Sequence, residues 1–146
     1  MLKDLYQDLI LDHGRAPRNH VVLNHATHSQ EGYNPLCGDR VTVYLFEQQN
    51  VISDVSFTGE GCAICMASAS LMTGALKGLS IEDAKALFDD FHATLMNADL
   101  PPSAQLGKLA ALRGVSRYPM RVKCATLPWH TLLAALGKTN QPVSTE

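Results

Sequence analysis

Three cysteines in this 146-residue chain stand in settings that favour chemistry over packing. Cys37 lies in Asn34-Pro35-Leu36-Cys37-Gly38-Asp39-Arg40, Cys62 follows Gly59-Glu60-Gly61, and Cys124 follows Arg121-Val122-Lys123. Taken singly, a cysteine is more often a small buried hydrophobe than a ligand. Their joint placement argues otherwise. Each is expected where one secondary-structure element gives way to another, and element ends can converge at one edge of a sheet. Cys37-Gly38-Asp39 sets a thiolate and a carboxylate two residues apart, and Gly38 permits the turn that aims both at one ion. With Cys62 and Cys124 the set becomes three sulfurs and one oxygen. That set suits tetrahedral Zn²⁺. Thiolates also hold iron–sulfur clusters, which is the alternative cofactor. Cys62 and Cys124 are expected in the first turns of helices, where the dipole and free N–H groups favour a thiolate. Arg121 and Lys123 add positive charge as auxiliary groups.

Cys65 completes a CxxC, Cys62-Ala63-Ile64-Cys65, at a strand-to-helix junction. That is the position of a thioredoxin-type redox pair. A thiol–disulfide oxidoreductase is therefore the rival reading from another class. Against it, the local order is hairpin then helices rather than βαβ, and Cys37 and Cys124 stay unexplained. Three residues from Cys62 on a helix, Cys65 can share its face. It is expected as a core thiol. The alternatives are a fourth sulfur that replaces Asp39 and a disulfide partner for Cys62. The histidines carry less. His13 is expected near a helix C-terminus, where a partly positive imidazole is favoured. His92 and His130 read as plain surface or core positions, and Ser68 and Ser70 as small residues that allow close helix packing. No phosphate loop or nucleophile elbow is present.

These residues need elements to hold them. Leu2, Leu5, Tyr6, Leu9 and Ile10 recur at helical spacing, and Gly14 and Pro17 stop that helix. Arg40 to Phe46 and Val51 to Phe57 are β-branched and alternating, with a turn at Gln48-Gln49-Asn50, and a weaker strand is expected around residues 26–33. A helix follows from Cys62 to Leu76. Another opens on the capping pattern Ser80-Ile81-Glu82-Asp83, with Ala84, Leu87, Phe88, Phe91 and Leu95 on one face. Leu100-Pro101-Pro102-Ser103 breaks it. A short helix over Leu106 to Leu112 ends at Gly114, and the last runs from about Val122 to Leu136 before Gly137. The fold class is α+β: a small three-stranded antiparallel sheet with helices packed on one face. One domain over residues 1–140 is expected, with a disordered tail at 141–146.

Composition sets the outer bounds. Twelve basic against fourteen acidic residues give a net charge of −2, which excludes a strongly basic nucleic-acid binder. No apolar stretch suggests a membrane span, and Met1 to Asp8 lacks the apolar run of a secretory signal. The expected location is cytoplasmic, where thiols stay reduced.

Together these motifs resemble the NifU-N/IscU superfamily of iron–sulfur cluster assembly proteins, and within it the SufU branch. The carrying residues are Asn34 to Arg40, Gly59 to Cys62 with Met66-Ala67-Ser68-Ala69-Ser70, Arg121 to Leu127, and Asp12-His13 with Pro17-Arg18-Asn19. The cysteines are separated by 25 and 62 positions, as in that family. The scaffold branch has a histidine directly before its last cysteine, where this chain has Lys123. The stretch around Asn97 to Gly114 looks like the SufU insertion. The resemblance implies zinc held by Cys37, Asp39, Cys62 and Cys124. It further implies that Cys37 accepts persulfide sulfur from a SufS-type cysteine desulfurase, after a partner histidine displaces it from zinc. Sulfur then passes to a SufBCD-type assembly complex. Such a protein is sulfurtransferase-like rather than a conventional enzyme. The alternative within the family is a scaffold on which a cluster is built and handed on. Cys65 stands where SufU relatives usually carry another residue.

Overall fold

A computed structural model describes residues 2–97, 99, 104–137 and 143–144, with side chains from Gln7 onward and without that of Val143. Helix α1 (Leu2–Arg15) leads into strands β1 (His28–Asn34), β2 (Asp39–Gln48) and β3 (Val51–Glu60). Helices α2 (Ala63–Leu76) and α3 (Ile81–Met96) follow, then a 3₁₀ segment (Ala104–Arg117), helix α4 (Pro119–Leu136) and a two-residue strand β4 (Val143–Ser144).

The antiparallel sheet expected from the alternating segments is present, with β2 between β1 and β3. Val41, Val43 and Leu45 lie on one face of β2 and are wholly buried, while Thr42 and Tyr44 are half-buried on the other. Gln49 and Asn50 both take positive φ, 54° and 65°, the backbone that a tight two-residue hairpin turn requires. Of the tail expected to be disordered, Val143 and Ser144 pair in parallel with Gly32 and Tyr33 as a fourth strand; the other four residues lie outside the described ones.

Helices α2 and α4 cover the apolar face of the sheet, and α1 packs on α2. Helix α3 keeps its predicted buried stripe and is capped as the sequence suggested, the Asp83 N–H donating to Ser80 Oγ at 3.1 Å. It meets α4 through Phe91 against Trp129, with ring centroids 5.0 Å apart. The short helix predicted over 106–112 is instead a 3₁₀ segment that runs past Gly114 and breaks at Gly107, where φ is +53°. Leu100 to Ser103 lie outside the described residues. Helix α4 starts three residues earlier than the predicted Val122. Pro119 occupies its first turn, where the missing N–H has no intrahelical partner to lose.

The register of the sheet positions the chemistry. Asn34 pairs with Asp39, so residues 35–38 form a short loop that carries Cys37. Arg40 pairs with Glu60, so Asp39 at the start of β2 lies beside Gly61 and Cys62 after β3. Helix α4 passes beneath β1 at Gly32, where an added Cβ would strike the Thr131 hydroxyl. That close approach sets Cys124 under the same sheet edge.

A candidate metal centre at the sheet edge

Asp39 is the pivot. Its side chain is buried, and Oδ1 accepts the Cys62 backbone N–H at 2.8 Å. Oδ2 is buried with no hydrogen-bond partner. Buried carboxylate oxygens almost always find a donor or a cation. The nearest candidates are sulfurs. Ligand atoms of Cys37, Asp39 and Cys124 all lie within 4.8 Å of one another. Two thiols and an unsatisfied carboxylate oxygen at that spacing match the donor set of a zinc site. These three predicted ligands are brought together.

Cys62 stands beside that triad rather than within it. It is the N-cap of α2, and its Sγ accepts the Cys65 N–H at 3.5 Å. The neighbouring Cys124 thiol lowers the Cys62 pKa to about 6 against the opposing effect of burial. The expectation of a thiolate at this helix end agrees with the structure. The same expectation for Cys124 does not. With α4 starting at Pro119, Cys124 falls in the second turn, away from free N–H groups. The Cys62 thiol beside it, and then burial, raise its pKa. Cys124 Sγ also lies 3.6 Å from the Met120 carbonyl.

Cys65 is wholly buried in the core, as expected, and burial raises the pKa of its thiol. Arg121 is exposed, and the nearby sulfurs, Cys62 first, favour its charged form. Lys123 lines a cavity of about 710 Å³ with His92, Thr126 and His130, a lining that includes none of the thiols.

Two residues hold the centre that the motif reading gave no role. Asn34 is wholly buried. Its Nδ2 reaches Cys124 Sγ at 3.7 Å, its Oδ1 accepts the Leu36 N–H at 3.2 Å, and its carbonyl accepts the Cys37 N–H at 3.3 Å. One side chain thus ties the Cys37 loop to α4. Gly61 leaves room for the carboxylate, since a Cβ there would sit 2.5 Å from Asp39 Oδ1. An Asn before a Pro, just ahead of the first cysteine, was the available signal for Asn34. Nothing local marks Gly61, because its neighbour is distant in sequence.

The histidine and serine expectations change in the structure. His13 is buried, its Nδ1 2.6 Å from Ser70 Oγ, and burial lowers its pKa. Burial thus disfavours the partly positive imidazole expected at a helix end. Ser70 therefore has a base partner, and Ser68 donates to the Ala125 carbonyl at 2.5 Å while accepting from Trp129 Nε1 at 3.2 Å.

Paired thiols and a carboxylate at the converging ends of a sheet and two helices define a small α+β metal- or cluster-handling module. The chain belongs to the NifU-like N-terminal domain family, whose model matches residues 5–125. It is 42% identical over 137 residues to the zinc-dependent sulfurtransferase SufU of Bacillus subtilis, covering 94% of this chain and 92% of that one. It is 36% identical over 138 residues to the iron–sulfur cluster assembly scaffold protein IscU of Streptococcus pyogenes, covering 94% and 86%. Its fold matches the crystal structure of FiSufU, a candidate SUF-system scaffold protein from Fervidobacterium islandicum AW-1. The TM-score is 0.83 at 34% identity, covering 88% of this chain and 94% of that one. These likenesses place the chain in the SufU branch. Among the described residues, no helix is long and apolar enough to cross a membrane.

Proposed function

We propose that this protein is a zinc-containing sulfur acceptor in iron–sulfur cluster assembly. The observation that carries the reading is the buried Asp39 carboxylate, one oxygen of it unpartnered, within 4.8 Å of the Cys37 and Cys124 sulfurs. Cys37, Asp39 and Cys124 would hold the zinc, with Cys62 as the fourth ligand. A bound zinc ion keeps its thiol ligands deprotonated and shielded. The SufU relative, named as a zinc-dependent sulfurtransferase, supports the metal and the chemistry.

Cys37 is the acceptor. Cys124 is buried, whereas Cys37 is half-exposed on a loop that Gly38 turns with φ +71°. The Cys37 thiolate attacks the terminal sulfur of a donor persulfide. The donor S–S bond breaks, the donor leaves as a thiolate, and a new S–S bond forms on Cys37. Exposed Arg121 places a fixed positive charge beside these sulfurs. The donor is a cysteine desulfurase of the SufS type, and a SufBCD-type complex takes the sulfur onward. Tyr33, Leu36, Tyr118 and Met120 are exposed large hydrophobics on the segments that flank the thiols, an apolar rim fit for protein docking. Reducing conditions, as in the cytoplasm, keep the thiols free.

The test is stimulation of the desulfurase. Wild type should raise turnover, and Cys37→Ala should lose at least about tenfold of that stimulation. Purified wild type should carry zinc in a one-to-one ratio. Metal-free protein with its full fold and unaltered stimulation would overturn the reading. Relatives named as scaffolds keep a second reading in play, in which a cluster is built on the same residues. Anaerobic reconstitution with iron and sulfide, then transfer to an apo-ferredoxin, separates the two.

A further inference from the structure

Cys65 has no part in the acceptor chemistry, yet it is placed for a different step. Cys62 caps α2 and Cys65 sits at the third position of that helix. The Cys65 N–H donates to Cys62 Sγ at 3.5 Å, which holds the Cys62 sulfur over the first turn. Cys65 is wholly buried, so no external donor reaches it. Only a sulfur presented by a neighbour inside the molecule can. Cys37 and Cys62 both pack against the cluster that contains Cys65. Cys62, the fourth ligand of the proposed centre, lies outside the tight triad of Cys37, Asp39 and Cys124, and α2 also holds its sulfur. Accessible first thiol, N–H bond to its sulfur and buried second thiol make the arrangement of a nucleophilic and a resolving cysteine.

We propose that Cys62 and Cys65 form a dithiol that reduces sulfane sulfur to sulfide on this protein. The step rests on the reading that Cys37 carries such sulfur. The Cys62 thiolate takes the terminal sulfur from the Cys37 persulfide and returns Cys37 as a thiolate. The Cys65 sulfur then attacks Cys62 Sγ. The persulfide S–S bond breaks and the Cys62–Cys65 bond forms. The terminal sulfur leaves with its electron pair and the Cys65 proton, as HS⁻. Two electrons from the dithiol reduce the sulfane sulfur, and the dithiol ends as a disulfide. A separate thiol reductant resets the pair for another turn.

The test is one turnover without added reductant. Persulfide-loaded desulfurase, freed of cysteine, is mixed with wild-type holoprotein. Wild type should release sulfide and lose two hydrogens in intact mass, with a Cys62–Cys65 bridge in the peptide map. Cys65→Ser and Cys65→Ala, checked for fold by circular dichroism, should instead retain one extra sulfur atom and release at least about tenfold less sulfide. Equal release from both variants overturns the proposal, and so does wild type that keeps its extra sulfur with no bridge. A second arm uses inorganic polysulfide as donor. Failure of the desulfurase arm alone, with the bridge and the variant difference intact under polysulfide, counts against the acceptor reading and not against the dithiol.

Discussion

Asp39 and His13 are both buried polar side chains, and their surroundings treat them differently. At the joint between α1 and α2 the imidazole meets Ser70, Ser70 also accepts the Arg18 N–H at 2.8 Å, and Asn19 donates to Thr73 Oγ1 at 3.0 Å. Polar groups there satisfy one another, and the cluster fastens the connection after α1 onto α2. At the sheet edge the pairing is incomplete, because one oxygen of Asp39 is left without a donor, and the Cys37 and Cys124 sulfurs lie within 4.8 Å of its carboxylate. Leaving such an atom bare costs about 1–3 kcal/mol. Ser56 Oγ is also buried without a partner, but a bare carboxylate oxygen costs more than a bare hydroxyl, so Asp39 is the group that calls for something to complete it. Buried polarity alone therefore does not mark a functional site; buried polarity left unpaired beside metal-binding atoms does.

Asp39→Asn breaks that contrast most directly. Asparagine keeps an oxygen for the Cys62 N–H and removes the carboxylate. Outer-shell substitutions commonly cost about 10–100-fold in metal affinity. Loss of a ligand should cost at least that, read as faster zinc release to a chromogenic chelator. The metal-free variant should melt within about 1 kcal/mol of metal-free wild type, since the N–H bond survives. Unchanged zinc retention would show that Asp39 is only a structural cap on α2.

Gly61→Ala sharpens the same end by a steric route. The added Cβ would meet both the Asp39 carboxylate and its Cα, at 2.5 and 3.1 Å, so backbone must shift. Overpacking of this kind costs roughly 1–3 kcal/mol. Zinc retention and melting temperature should fall together, unlike in Asp39→Asn. A variant that melts lower but holds zinc normally would disconnect Gly61 from the centre.

His13→Ala probes the satisfied cluster. It removes a buried ring and one partner of Ser70, and should cost about 1–3 kcal/mol in melting experiments. Zinc retention should stay as in wild type. Loss of zinc here would mean that the two clusters are coupled through α2.

The differences between the two clusters also explain what could be read without a structure. Alternation in Val41, Val43 and Leu45, the cap at Ser80 and the stripe from Ala84 to Leu95 were legible because each is a short-range pattern with one physical meaning. Cys37, Asp39 and Cys124 were legible as chemical types set at element ends. The start of α4 was not, and with it went the upward shift of the Cys124 pKa. Its first turn is set by Pro119 and by packing under β1, not by an apolar repeat. The state of His13 and the partner of Ser70 were equally hidden, since 57 residues separate them and only the packing of α1 on α2 brings them together.

The smallest effect is a pH dependence. Burial lowers the His13 pKa below its ordinary 6.5, with Arg18 adding to the shift, and burial likewise lowers that of His130, beside His92. For a depressed histidine the unfolded chain takes up a proton before the native one does. Stability is therefore full above pH 6.5 and falls as pH drops through that value, until the native imidazole also titrates. Metal-free protein should accordingly melt at lower temperature at pH 5.5 than at pH 7.5, and His13→Gln should flatten part of that slope. His130→Gln should flatten another part. If the His13→Gln slope matches that of wild type, the folded imidazole takes up its proton where the unfolded one does, and burial at the α1–α2 joint does not disfavour its charge. The satisfied cluster would then accept a charge as readily as water does, and its contrast with the open carboxylate at Asp39 would lose its basis.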